Sequence, residues 1–185
     1  MSLSFEQALA FHCAPALTGI KPADLFSWEI TPEHLAPLLA DYAAVLGRRG
    51  ISLRLLCARG RRCLLLVYRP DRLARQLEQP AVQHLLRRDG YPVGQGAEVL
   101  LDHLARRLAG DDFPHEVGLF LGYPPGDVEG FRLNHGRNFK LCGLWKVYCD
   151  MEQATARFQR YTRCRNTLLR KVSQGHSLAQ LFPAA

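Results

Sequence analysis

The sequence predicts an α/β or α+β fold: one compact domain over residues 1–185, with a central mixed sheet of about four or five strands packed by several helices. Three observations carry this expectation. Amphipathic helical stripes alternate with short apolar runs along the chain; two of those runs flank an Arg-Gly-Arg-Arg turn; and no linker, internal repeat or low-complexity tract divides the sequence.

Taken in order, Ser4 and Gln7 form a capping box, and Phe5, Leu9 and His12 or Cys13 recur at helical spacing, predicting a helix from about Ser4 that Pro15 ends. The segment after Pro15, with Gly19, Lys21 and Pro22, reads as an irregular connection before a strand at about Leu25–Ile30. Thr31 and Pro32 open a second helix, whose stripe of Leu35, Leu38, Leu39, Tyr42 and Leu46 ends near Gly47. The apolar runs at about 51–58 and 63–68 form a hairpin, and their near-continuous hydrophobicity predicts central strands covered on both faces. A three-residue turn would set Cys57 opposite Cys63, whereas a two-residue turn would offset them. Pro70 and Pro80 start two short helices, and Val99, Leu100, His103, Leu104 and Leu108 mark a longer one. The stretch Pro114 to Asp150 reads as strand (Val117–Leu121), Gly-Tyr-Pro-Pro-Gly turn, short helix, glycine-rich basic loop and second strand ending in Trp-Lys-Val-Tyr. Asp150 and Gln153 cap a last long helix with an apolar stripe of Met151, Ala154, Phe158, Tyr161, Leu168 and Val172, which Gly175 stops.

Composition narrows the function classes. With 185 residues, 48% hydrophobic and 22% charged, the chain has the make-up of a soluble globular domain and can fold without a metal or disulfide staple. No apolar run reaches the roughly 18–20 residues of a membrane span, and the acid-bearing start MSLSFEQALAFHC is no secretion signal, so the expectation is a cytoplasmic protein without membrane partners. There the six cysteines are expected to stay reduced, and without a CxxC pair they predict no metal site. The net charge of +7 favours acidic partners; however, 20 of the 24 basic residues are Arg and no recognised nucleic-acid motif accompanies them, so nucleic acid is not the favoured partner.

Two irregular segments hold the candidate chemistry. In the first, His12 and Cys13 set an imidazole beside a thiol, ahead of the loop that carries Lys21. In the second, Tyr123 stands at the Pro-Pro turn, and the loop from Asn134 to Gly143 combines glycines for close backbone approach with His135, Arg137, Lys140 and Cys142. His115-Glu116 does not match the metal-binding His-Glu-x-x-His helix, and the two prolines of the turn remove the N–H groups that a phosphate cradle needs.

The strings HCAPALTGIKPADLF, ISLRLL with LLLVYRP, PHEVGLFLGYPPGDVEGF, and CGLWKVY followed by a helix carrying Phe158, Tyr161 and Cys164 resemble, in order and over nearly the whole chain, an uncharacterised bacterial family, domain-of-unknown-function family 3793. The resemblance implies single-domain boundaries and brings no activity, cofactor or catalytic residue with it. It draws attention to His12, Cys13, Lys21, Glu116, Tyr123, Cys142 and Trp145.

The resulting expectation is a pocket between the His12–Lys21 loop and the Gly122–Gly143 region. It would bind a small anionic ligand or redox cofactor through Lys21, Tyr123, His135, Arg137 and Lys140, with thiol chemistry at Cys13 or Cys142 assisted by His12. An acidic redox protein is a further partner expectation. The alternative is a non-enzymatic regulatory module whose Arg-rich hairpin turn and last helix meet nucleic acid or an acidic protein.

Overall fold

A computed structural model describes residues 3–182; the extreme ends of the expected 1–185 domain lie outside them. The fold is α+β. A three-stranded antiparallel sheet, β1 (Ala23–Glu29), β2 (Ser52–Arg59) and β3 (Arg62–Tyr68), has the order β1-β3-β2. Helices α1 (Phe5–Leu17), α2 (Pro32–Gly47) and α8 (Met151–Ser173) pack one face, and the other is covered by α3 (Pro70–Leu77), α4 (Pro80–Arg88), α5 (Ala97–Leu108), α6 (Val117–Phe120) and α7 (Pro125–Leu133). A separate ribbon, β4 (Leu141–Cys142) with β5 (Lys146–Val147), precedes α8, and a short α9 (Leu178–Leu181) follows it.

The middle position of β3 follows from its side chains. Successive residues of a strand face opposite sides, and both sides here are apolar: Leu64, Leu66 and Tyr68 enter the core beneath α3–α7, while Cys63, Leu65 and Val67 enter the core beneath α1, α2 and α8. β2 lies at the edge rather than the centre. The hairpin turn is the two-residue Gly60–Arg61, with a register shift between Leu55 and Cys57, so Cys57 pairs with Leu64 and Cys63 with Ala58; both cysteines are free thiols.

Several expectations are corrected. The main sheet is wholly antiparallel and has three strands, because Val117–Phe120 is a turn of helix and β4–β5 stands apart. An apolar run of five residues has no periodicity with which to choose between buried strand and buried helix. Pro15 does not end α1, which continues to Leu17; the amide of the next residue, Ala16, donates instead to the Asp24 carboxylate at 2.9 Å. Met151 lies half-exposed, off the apolar stripe of α8. Elsewhere the stripes hold: Leu35, Leu38, Leu39, Tyr42 and Leu46 face the core from α2. Along α8, Ala154, Phe158 and Tyr161 pack under the β4–β5 ribbon, whereas Leu168 and Val172 enter the main core. Among the described residues no helix is long and apolar enough to cross a membrane.

Candidate functional site

Two neighbouring arrangements result from this packing. The first is a buried junction where the loop after α1 meets the turn before α7. Gly122 (φ +76°) makes the close approach possible, since a Cβ there would meet Pro22 Cδ at 2.7 Å. Lys21 and Asp24 are both more than nine-tenths buried and joined at 2.6 Å. The Lys21 ammonium sits 5.3 Å from the Tyr123 ring centre and 5.9 Å from that of Tyr161. Burial works against the charge, but the Asp24 carboxylate outweighs it with help from the two tyrosines, so Lys21 is held above its ordinary value and stays protonated. Asp24 is satisfied on both oxygens, by Lys21 and by the Ala16 amide.

The second arrangement centres on Tyr123 and Trp145, stacked at 4.8 Å with 25° between their planes; Phe158 meets the indole edge-on at 4.5 Å. Asp127, in the first turn of α7, holds the ribbon in place. Its Oδ2 accepts from Trp145 Nε1 at 2.8 Å, and its Oδ1 accepts from the amides of Tyr148 and Cys149 at 2.8 and 2.9 Å. A carboxylate taking several N–H bonds in a buried place is a strong local tie.

Between this ribbon and helices α6 and α7 lies a cavity of about 300 Å³. Val117, Gly118 and Val128 form its back, Tyr123, Phe131 and Trp145 its aromatic walls, and Phe113, His115, Cys142 and Lys146 its mouth. Cys142 and Lys146 are cross-strand partners in the ribbon. The Lys146 ammonium donates to Gly136 O at 2.7 Å and lies 5.6 Å from the Phe131 ring centre and 5.0 Å from that of Phe139. The His115 ring packs on Phe131 at 4.7 Å. Among the described residues no group of three or more His, Cys, Asp or Glu side chains is arranged to hold a metal ion.

A family model described as "Protein of unknown function (DUF3793)" matches residues 9–182, nearly the whole chain. The chain belongs to the DUF3793 family. No match is found among curated proteins or among solved structures.

In this DUF3793 protein the structure brings Lys21 to Tyr123, and Tyr123 to Cys142 through the cavity they border. It places Cys13 elsewhere, sealed in the core between α1 and the sheet, where burial above all and the nearby Asp24 charge push its thiol well above the ordinary value. His12, exposed on α1, stacks on Phe26 at 5.7 Å; partial burial and then the Arg165 charge lower its pKa, leaving it neutral at pH 7. His135, Arg137 and Lys140 are exposed on their loop and do not line the cavity; Lys140 donates to Cys149 O at 2.9 Å. Glu116 is buried and bound by Tyr91 Oη at 3.0 Å and by Arg107 Nε, a structural tie between α5 and the start of α6. Sequence reasoning missed Phe113, Phe131 and Lys146 as lining residues and weighed His115 only as a metal ligand. The one local signal was the placement of Cys142 and Lys146 on either side of the Gly143-Leu144-Trp145 turn.

Proposed function

We propose that this protein binds a small molecule with a flat apolar body and an anionic group in the cavity between the β4–β5 ribbon and helices α6 and α7. One observation carries the reading: a concave site with aromatic walls has a few polar side chains gathered at its mouth, the usual composition of a small-molecule site. Tyr123, Phe131 and Trp145 offer ring surfaces to the apolar body. Lys146 uses one of its three N–H groups on Gly136 O and keeps two for the anion, with His115 beside the same opening. A redox cofactor with a flat ring and a charged tail falls within this class. Cys142, an exposed thiol at the mouth, is the cysteine placed to react with an electrophilic occupant, whereas the buried Cys13 is not.

The test uses anilinonaphthalene sulfonate, a flat aromatic anion, as probe. In a Trp28→Phe background, where Trp145 is the only tryptophan, the probe should quench Trp145 emission saturably, with energy transfer to its own fluorescence. Adding Cys142→Phe, which fills the mouth from an exposed position, should abolish both signals. Quenching that survives this substitution, or no quenching at all, would refute the proposal.

A further inference from the structure

A second hollow, of about 200 Å³, is lined by Ile20, Lys21, Pro22, Arg72, Arg75, Gln76 and Gln79 and shares no residue with the cavity at the β4–β5 ribbon. Its donors come from one face of α3 and the residues just after it: positions 72, 75, 76 and 79 follow the three- and four-residue steps that align side chains on a helix. That face is turned onto the loop between α1 and β1.

The two arginines of this hollow are at most weakly paired. Arg72 makes no hydrogen bond or ion pair among the described residues, and Arg75 has only a long contact of 3.6 Å to the exposed Asp71. Lys21 is neutralised by Asp24, and Arg69 is occupied with the carbonyls of Ala16, Leu17 and Arg49. Gln76 donates to Leu119 O and accepts from Gln79, which leaves each amide one N–H. Arg72 lies over Gly19, where a Cβ would stand 3.2 Å from Arg72 Nε and 3.0 Å from Arg69 Nε. Any side chain at residue 19, already at φ +75°, would push the guanidinium away. Burial and then repulsion from Arg72 draw Arg69 below its ordinary value, with Asp71 acting in the opposite direction.

We infer that this hollow is a binding site for a small oxyanion, either free phosphate or the phosphoryl group of a phosphomonoester, held by Arg72 and Arg75 with the amides of Gln76 and Gln79. Guanidinium groups donate in pairs to tetrahedral oxyanions, and their planar fork is pre-organised, so less freedom is lost for each bond formed. The site is separate from the aromatic cavity and does not rest on that cavity being occupied.

The experiment is a calorimetric titration with inorganic phosphate, then with phenyl phosphate, both against chloride at matched ionic strength, using wild type, Arg72→Gln/Arg75→Gln and Cys142→Phe. Both substituted arginines are exposed, so the double variant should keep the wild-type melting temperature in chloride. Saturable phosphate binding that weakens by about tenfold or more in the double variant, the loss of at least one charge-assisted bond, is the expected result. It should persist in Cys142→Phe, which keeps this test distinct from that of the cavity. Binding of phenyl phosphate without inorganic phosphate would assign the site to a phosphoryl group on a larger molecule. Absence of saturable binding of either anion, or equal binding by wild type and double variant, would overturn the inference.

Discussion

Polar groups meet aromatic rings in two adjoining parts of this molecule, and the two parts treat them in opposite ways. At the Lys21–Asp24 junction and at Asp127, charged groups are sealed from water, and each carboxylate oxygen already has a donor from the same chain. At the cavity mouth, His115 and Cys142 are exposed and Lys146 half-buried, in front of walls that are almost wholly apolar. A buried polar group that is satisfied internally holds elements in place, because breaking its pairing leaves an unsolvated charge. Polar groups with capacity left over, next to an unfilled apolar surface, are suited to recognising something else. The difference teaches that residues within one short stretch of sequence can divide into scaffold and site.

The largest effect should come from breaking the scaffold half. Asp24→Ala leaves the Lys21 ammonium and the Ala16 amide buried without their acceptor, and the loss should be about 3–5 kcal/mol by chemical denaturation. An effect below about 1 kcal/mol, the size of a surface pair, would place Lys21 and Asp24 with the free polar groups instead. Next comes Asp127→Ala, which removes the acceptor for Trp145 Nε1 and two ribbon amides. A cost of about 2–4 kcal/mol and a red shift of Trp145 emission are expected as the ribbon loosens from α7.

The same junction has a pH signature. Because Lys21 is held above its ordinary value, its own contribution is complete below the unfolded lysine range of about 10.4 and is lost as pH rises through the higher folded value. Wild type should therefore lose stability in strong base more steeply than Lys21→Met/Asp24→Leu, as measured by denaturation midpoints across the alkaline range. Equal slopes would remove Lys21 as the cause. The smallest effect is expected at Arg54→Gln. This arginine bridges Glu98 and Asp102, both well exposed on α5, and its loss should cost only about 0.2–1 kcal/mol.

Much of the scaffold was legible in the sequence. α2, α5, α8 and the β2–β3 hairpin announce themselves through periodic apolar residues, capping residues and a glycine turn, all signals carried within a few neighbours. Val117–Phe120 was not legible, because four successive buried residues look alike as strand or helix, and tertiary packing decides. α1 runs through Pro15 with an acceptor from β1, eight residues on, for the amide that follows the proline. The site was less legible than the fold. Tyr123 and Cys142 stood out through their setting, and the structure brings them to one cavity, but Phe113, His115 and Phe131 join it only through packing between segments. Cys13 drew attention by its neighbour His12, yet adjacent helical residues point about 100° apart, and here one faces the core and the other the surface.

The division between scaffold and site is tested most directly by the alkylation rates of individual cysteines with N-ethylmaleimide, followed by peptide mass spectrometry, with and without saturating anilinonaphthalene sulfonate. Cys142 should react readily in the folded protein and slow markedly when the probe is bound, while Cys13 should react only on unfolding and at the same rate in both conditions. A Cys142 rate unchanged by the bound probe, or a Cys13 that reacts in the native state, would contradict the assignment of the cavity as the binding site and of the α1 thiol as core.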